Sequence, residues 1–141
     1  MKSITLLVLF LLALGAHASD TITYDSEYYG LQVGKSTAAD VIDLLGYPIE
    51  KKSYSNNVKY IFNGIHVTIQ DRTGRINTII IFENDYTDTN GIWVGSNKEE
   101  VEYRLNIYID SDVVVDKVNG IVYWFENGQV SKIVLAHKLR L

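Results

Sequence analysis

Few side chains in this 141-residue sequence carry catalytic chemistry, and their spacing limits what they can do. There is no cysteine, which excludes thiolate metal sites, a cysteine nucleophile, disulfides and a lipid-modified cysteine. Of the three histidines, His17 falls in an apolar leader, leaving His66 and His137. Two histidines do not make a multi-histidine zinc centre. A Ser-His-Asp relay would need one of them beside a positioned partner in a pocket. His66 lies in an alternating segment beside Thr68, which reads as a surface or interface position rather than a general base.

Three sharper motifs weaken on inspection. Gly30-Leu31-Gln32-Val33-Gly34-Lys35-Ser36 has three residues between its glycines where a phosphate-binding loop needs four, so it reads as a turn into a capped helix. Asp88-Thr89-Asn90-Gly91 matches part of a calcium loop. Tyr86 stands where the first ligand belongs, however, and Asn97 where the closing Glu belongs, so a turn-rich linker is expected. Asp110, Asp112 and Asp116 precede or close an apolar strand and read as solvated loop acids. No cofactor is implied.

Trp124 carries recognition chemistry instead. Its neighbours Tyr123 and Phe125 alternate onto the core face, so the indole projects from the opposite face, where a large apolar area with one N–H donor suits a protein contact or fills a junction. Trp93 reads as a core plug.

Stepping outward, the first 18 residues read as a signal peptide. Lys2 precedes an apolar run from Ile4 to Leu14, and Ala16-His17-Ala18 is a small-x-small cleavage site before Ser19. The run is shorter than the ~20 residues of a membrane span. The expected product, periplasmic or secreted, has 12 basic and 17 acidic side chains and no basic run, which argues against nucleic acid and anionic membranes.

The elements that must position Trp124 and His66 read as two similar units. Gly30–Gly34 is echoed by Gly91–Gly95, and each precedes a capped helical segment: Thr37 with Asp40 in the capping-box position, then Asn97 with Glu100. Asn63-Gly64 and Asn119-Gly120 predict type I′ hairpins, and a third strand follows each through Thr73-Gly74 or Asn127-Gly128. The expected fold is α+β: two tandem helix-plus-three-strand repeats, an antiparallel sheet with helices on one face. The units span residues 30–83 and 91–141, after a leader of 19–29 and joined by a polar linker of 84–90.

Counting outward from the turns gives each sheet face. Ile76, Ile80, Val118, Val130 and Val134 fall on the helix-covered face with Ile65, Val67, Ile121 and Phe125. The open face takes His66, Thr68, Asn77, Ile79, Val122, Trp124, Glu126, Ser131 and Ile133. Trp124, His66, Thr68, Asn77, Val122, Glu126 and Ser131 are the candidate protein-binding residues.

The run Gly34-Lys35-Ser36-Thr37-Ala38-Ala39-Asp40-Val41 through Leu45-Gly46-Tyr47-Pro48, with the strands after it, resembles the SmpA/OmlA (BamE-like) envelope proteins. Two such units in tandem resemble the beta-lactamase inhibitory proteins. The resemblance implies a role in binding other proteins and no catalytic residue. The second unit departs from the pattern with Asn106 in place of the Gly and no following Pro, and BamE-like proteins are lipoproteins, whereas this chain has no cysteine. The expected function is an exported, non-catalytic module that binds another envelope or extracytoplasmic protein through the open sheet face. The alternatives are an inhibitor or immunity protein against an extracytoplasmic enzyme or toxin, and a small hydrolase or ligand carrier using His66.

Overall fold

Short extended segments punctuated by glycine turns dominate the computed structural model, which describes residues 21–140. The expected signal peptide, 1–18, lies outside the described residues. In chain order the elements are β1 (Thr21–Thr23), β2 (Glu27–Tyr28), β3 (Leu31–Gln32), α1 (Ala38–Leu45), β4 (Glu50–Tyr54), β5 (Asn57–Ile61), β6 (Ile65–Gln70) and β7 (Arg75–Ile81). They continue with α2 (Lys98–Leu105), β8 (Val113–Asp116), β9 (Ile121–Glu126), β10 (Gln129–Ala136) and β11 (Lys138–Arg140). One seven-stranded antiparallel sheet runs β4-β5-β6-β7-β10-β9-β8, with two-stranded ribbons β1-β11 and β2-β3 beside it.

This overturns the expectation of two helix-plus-three-strand repeats. The protein is mostly β, 46% strand against 13% helix, and α1 is followed by four strands rather than three. The unexpected strand is β4. Its Glu-Lys-Lys-Ser-Tyr sequence is exposed throughout, so it has no alternation to betray it; as an edge strand it needs backbone pairing to Asn57–Ile61 and little else.

The turns also differ from expectation. Gly64 and Gly120 take positive φ but Asn63 and Asn119 do not, so neither hairpin turns through type I′. Consecutive positive φ values occur at Tyr29-Gly30 (45° and 89°) and Asn127-Gly128 (51° and 75°). The longer loop at Asn119 leaves Val118 exposed, not in the core as its spacing predicted.

Both helices are capped as predicted. Thr37 and Asp40 form a reciprocal capping box on α1, and Gly46 ends it in the positive-φ region; Asn97 caps α2 and Asn106 stops it in the left-handed region. Helices this short depend on packing, and Val41 and Val101 supply it by burying completely against the sheet.

Two β-bulges decide the sheet faces. Pairing slips at Asn77 in β7 and at Ser131 in β10, so an extra residue enters each strand. Beyond the bulge every side chain changes face. Ile79, Ile81, Ile133 and Leu135 are therefore buried, and Ile80 and Val134 lie on the open face, the reverse of the sequence expectation. Each buried isoleucine contributes about 2 kcal/mol or more, so the bulged register is strongly fixed. The residue before each bulge explains it: the Ile76 and Val130 backbone groups bond to the segments leading into α1 and α2.

Candidate functional site

The sheet register assembles the candidate site from strands far apart in sequence. Following paired residues across all seven strands gives one row: Glu50, Ile61, His66, Ile80, Val134, Val122, Val115. Six of the seven are apolar or aromatic, and at normal strand spacing the row extends roughly 30 Å. Val113, Trp124, Lys132 and Phe82 flank it on one side, Trp124 opposite both Val113 and Lys132. Trp124 and Phe82 are each 40% exposed, far more than core aromatics such as Tyr123.

Cations rim this apolar band. Lys132 Nζ sits 4.2 Å from the Trp124 ring centroid, and Lys59 lies opposite both Lys52 and Thr68. The Ser131 hydroxyl donates to the Trp124 carbonyl at 3.2 Å and fixes the backbone beneath the indole. His66 meets Phe82 edge-on, 4.8 Å between centroids. Its pKa is pushed below the ordinary imidazole value, first by burial and then by the positive charges of Lys59 and Lys52. The ring is therefore neutral at neutral pH and continues the apolar row.

The predicted residues distribute unevenly. His66 and Val122 share the row, Trp124 flanks it, and Thr68 lies in the next row opposite Lys59 and Thr78. Glu126 pairs with Gln129 at the far end, and Ser131 supports Trp124 from its bulge. Asn77 sits in the other bulge and lines a separate cleft with Arg75 and His137. Sequence reasoning missed Ile80, Phe82, Val134 and Lys132. Once the bulges are placed, plain alternation finds all four.

Residues of the 84–90 segment and Asp116 are more buried than expected, whereas Asp110 and Asp112 are exposed as loop acids. Tyr86 and Asp88 are buried, so the polar linker of 84–90 is anchored to the core. Asp88 is only 7% exposed. One carboxylate oxygen accepts from the Asn90 and Ile92 amides, each at 2.9 Å, and the other accepts from the Tyr123 hydroxyl. Asn90 Nδ2 donates to Asp116 at 2.7 Å and to Tyr123 at 2.9 Å, and Asn119 Nδ2 donates to Asp116 at 2.7 Å. Asp116 is thus buried and bonded, not a solvated loop acid. Burial raises the Asp88 pKa against its hydrogen bonds. At Asp116 burial acts the same way, but donors from Asn119, Asn90 and the Val118 and Asn119 amides outweigh it and lower the pKa. Trp93 is half-buried rather than a core plug.

No family model matches the chain, and no curated protein matches it. Among solved structures, the fold is similar to that of an extracellular protein containing an SCP domain from Bacillus anthracis strain Ames. The TM-score is 0.51 at 7% identity, over 92% of this chain and 50% of that one. The chain thus spans half the length of that protein. It is also similar to a DUF4309 family protein, YjgB, from Bacillus subtilis subsp. subtilis strain 168, with TM-score 0.50 and 16% identity over 77% and 83% of the two chains. At such identities the likeness is one of fold. No helix among the described residues is long and apolar enough to cross a membrane.

Proposed function

We propose that the chain is an exported, periplasmic or secreted, non-catalytic module that binds another protein through the open face of its seven-stranded sheet. The observation that carries this reading is the continuous apolar row with Trp124 and Phe82 half-exposed at its flank and lysines at its rim. Aromatic side chains surrounded by polar groups are the usual composition of binding hot spots. The partner's complementary surface is an apolar patch with an acidic rim, matched to Lys52, Lys59 and Lys132. The resemblance of Gly34–Pro48 to BamE-like envelope proteins points the same way, as does the described extracellular nature of one structural neighbour.

The test compares wild type and Trp124→Ala as baits in envelope extract, followed by affinity measurement on any protein captured by wild type alone. Truncating a central aromatic anchor costs about 2 kcal/mol, or roughly 30-fold in affinity. The melting temperature changes little, because a side chain on the open face leaves no enclosed cavity. Identical capture and affinity for the two baits would refute the sheet-face assignment.

A further inference from the structure

We propose that a basic cleft at the other end of β7, between its first residues and the β1-β11 ribbon, binds the oxyanion group of a small ligand. The site is separate from the apolar row and does not rest on the protein-binding reading.

Two adjoining cavities, of 350 and 400 Å³, share Gly34, Arg75 and His137 as walls. Each is large enough for a small-molecule ligand. Lys138 lines the first, and Lys35 with Asp25 the second, so three cations, one carboxylate and an imidazole meet there, a net positive cluster in a chain whose net charge is −4. Among the described residues Arg75 and Lys138 form no salt bridge. Lys35 meets only Asp25, at 3.9 Å, with both side chains largely exposed, and an exposed pair of that kind is weak. The Arg75 guanidinium, with its planar fork of donors, matches a carboxylate, sulfate or phosphate. Gln70 and Asn77 add side-chain amides to the wall.

The surrounding backbone holds this arrangement in place. The bulge at Asn77 turns its carbonyl to accept the His137 amide at 2.9 Å. Tyr24 and His137 then bond reciprocally: the Tyr24 amide donates to the His137 carbonyl, and His137 Nδ1 donates to the Tyr24 carbonyl, both at 2.8 Å. A carbonyl only accepts, so the proton is on Nδ1 and Nε2 is the ring nitrogen left for another partner. Gly34, at φ 78°, makes room for the imidazole, since a Cβ there would collide with the ring. The three cationic side chains are exposed, so the fixed shape of the cleft comes from its hydrogen-bonded backbone and the seated imidazole.

The experiment titrates the exported form of the full chain, labelled for amide NMR, with sodium sulfate and separately with sodium citrate, at constant ionic strength in chloride. Saturable shifts centred on Gly34, Asn77 and His137 are expected. They should weaken at least tenfold in Arg75→Gln and in Lys138→Gln and remain unchanged in Lys51→Gln on the edge strand β4. The second variant, in the short β11 strand, keeps the test decisive should Arg75→Gln disturb the start of β7. Tighter sulfate binding identifies a phosphate- or sulfate-bearing ligand and tighter citrate binding a carboxylate; either supports the site. Linear, unsaturated shifts, or shifts that Arg75→Gln and Lys138→Gln leave intact, would mean an adventitious ion only and overturn the proposal.

Discussion

Before α1, the Gly34 amide donates to the Ile76 carbonyl and the Ile76 amide to Ser36; before α2, the Gly95 amide donates to the Val130 carbonyl and the Val130 amide to Ser96. Each lead-in thus bonds to the residue preceding a β-bulge, and each ends in an N-cap bridged to the same strand, Thr37 to Arg75 and Asn97 to Gln129. The backbone solution is shared, but the side chains placed on it are not. The first lead-in has one more residue, Lys35, between the glycine and the serine, and it opens beside Arg75 and His137 into a cleft. The second closes: Ser96 is buried with its hydroxyl accepting from the Trp93 amide at 3.1 Å, and Gln129 replaces the arginine. One framework can therefore present a charged cleft at one junction and a sealed polar turn at the other, and the difference lies in a few side chains and one inserted residue.

The glycines test that contrast most severely. Gly34 (φ 78°) has the His137 ring where a Cβ would go, whereas Gly95 (φ 108°) has only the Trp93 indole, no nearer than 3.8 Å. Both alanine variants carry backbone strain of about 1–2 kcal/mol, but Gly34→Ala must also displace the hydrogen-bonded His137 ring, for a total of about 3 kcal/mol or more. Chemical denaturation of the two variants decides it. If Gly95→Ala were the more damaging, backbone strain rather than space would set the cost, and the seating of the His137 ring against Gly34 would not be what distinguishes the first junction.

The segments feeding the junctions differ as well. Leu31 arrives from a hairpin, but Ile92 arrives from a loop locked by Asp88, Asn90, Asp116 and Tyr123. Tyr123→Phe removes the donor to one Asp88 oxygen in a fully buried setting and should cost about 2 kcal/mol at pH 7. The sign of its pH dependence follows from the raised Asp88 pKa. Neutral Asp88 favours the folded state, and that contribution is lost as pH rises through the raised value. The missing hydroxyl matters most when Asp88 is charged, so the gap between variant and wild type should be largest above the raised Asp88 pKa and shrink as pH falls through it. Melting curves at several pH values check this; a gap that stayed constant or widened in acid would place the hydroxyl's effect elsewhere.

What the sequence reveals follows from which features are local. Capping boxes, glycine stops and the β6 and β9 alternations are set by neighbouring residues, and Thr37, Asn97, His66 and Trp124 are where their local patterns put them. The bulges at Asn77 and Ser131 have no local signature, because they answer to hydrogen bonds with Ser36 and Ser96 some 35 to 40 residues earlier. Missing them exchanged Ile79 with Ile80 and Ile133 with Val134, which hid the two central members of the apolar row. Edge strand β4 was illegible for another reason: it buries nothing, so hydrophobic periodicity has nothing to report. The basic cleft was equally hidden, since Lys35, Arg75 and His137 meet only through the sheet's long-range pairing.

The smallest expected effect concerns the hairpin that feeds the first junction. Tyr29 occupies a left-handed position (φ 45°) in a two-residue turn where asparagine is favoured, yet its ring is 56% exposed. Edge contacts to Tyr28 and Tyr86, at 4.6 and 5.9 Å between centroids, and a 3.0 Å bond from its hydroxyl to the Asp85 carbonyl offset the turn strain. Tyr29→Asn relieves the strain, worth about 1 kcal/mol, and forfeits aromatic contacts worth a similar amount, so the melting temperature should move by no more than a few degrees either way. The corresponding change at the second positive-φ turn, Asn127→Tyr, puts a bulky ring in the left-handed region with no such neighbours and should be plainly destabilising. Comparable losses from both changes would show that the tyrosine cluster contributes more than the turn costs, and that this hairpin, unlike the one at Asn127, is held by its side chains rather than by its backbone preference.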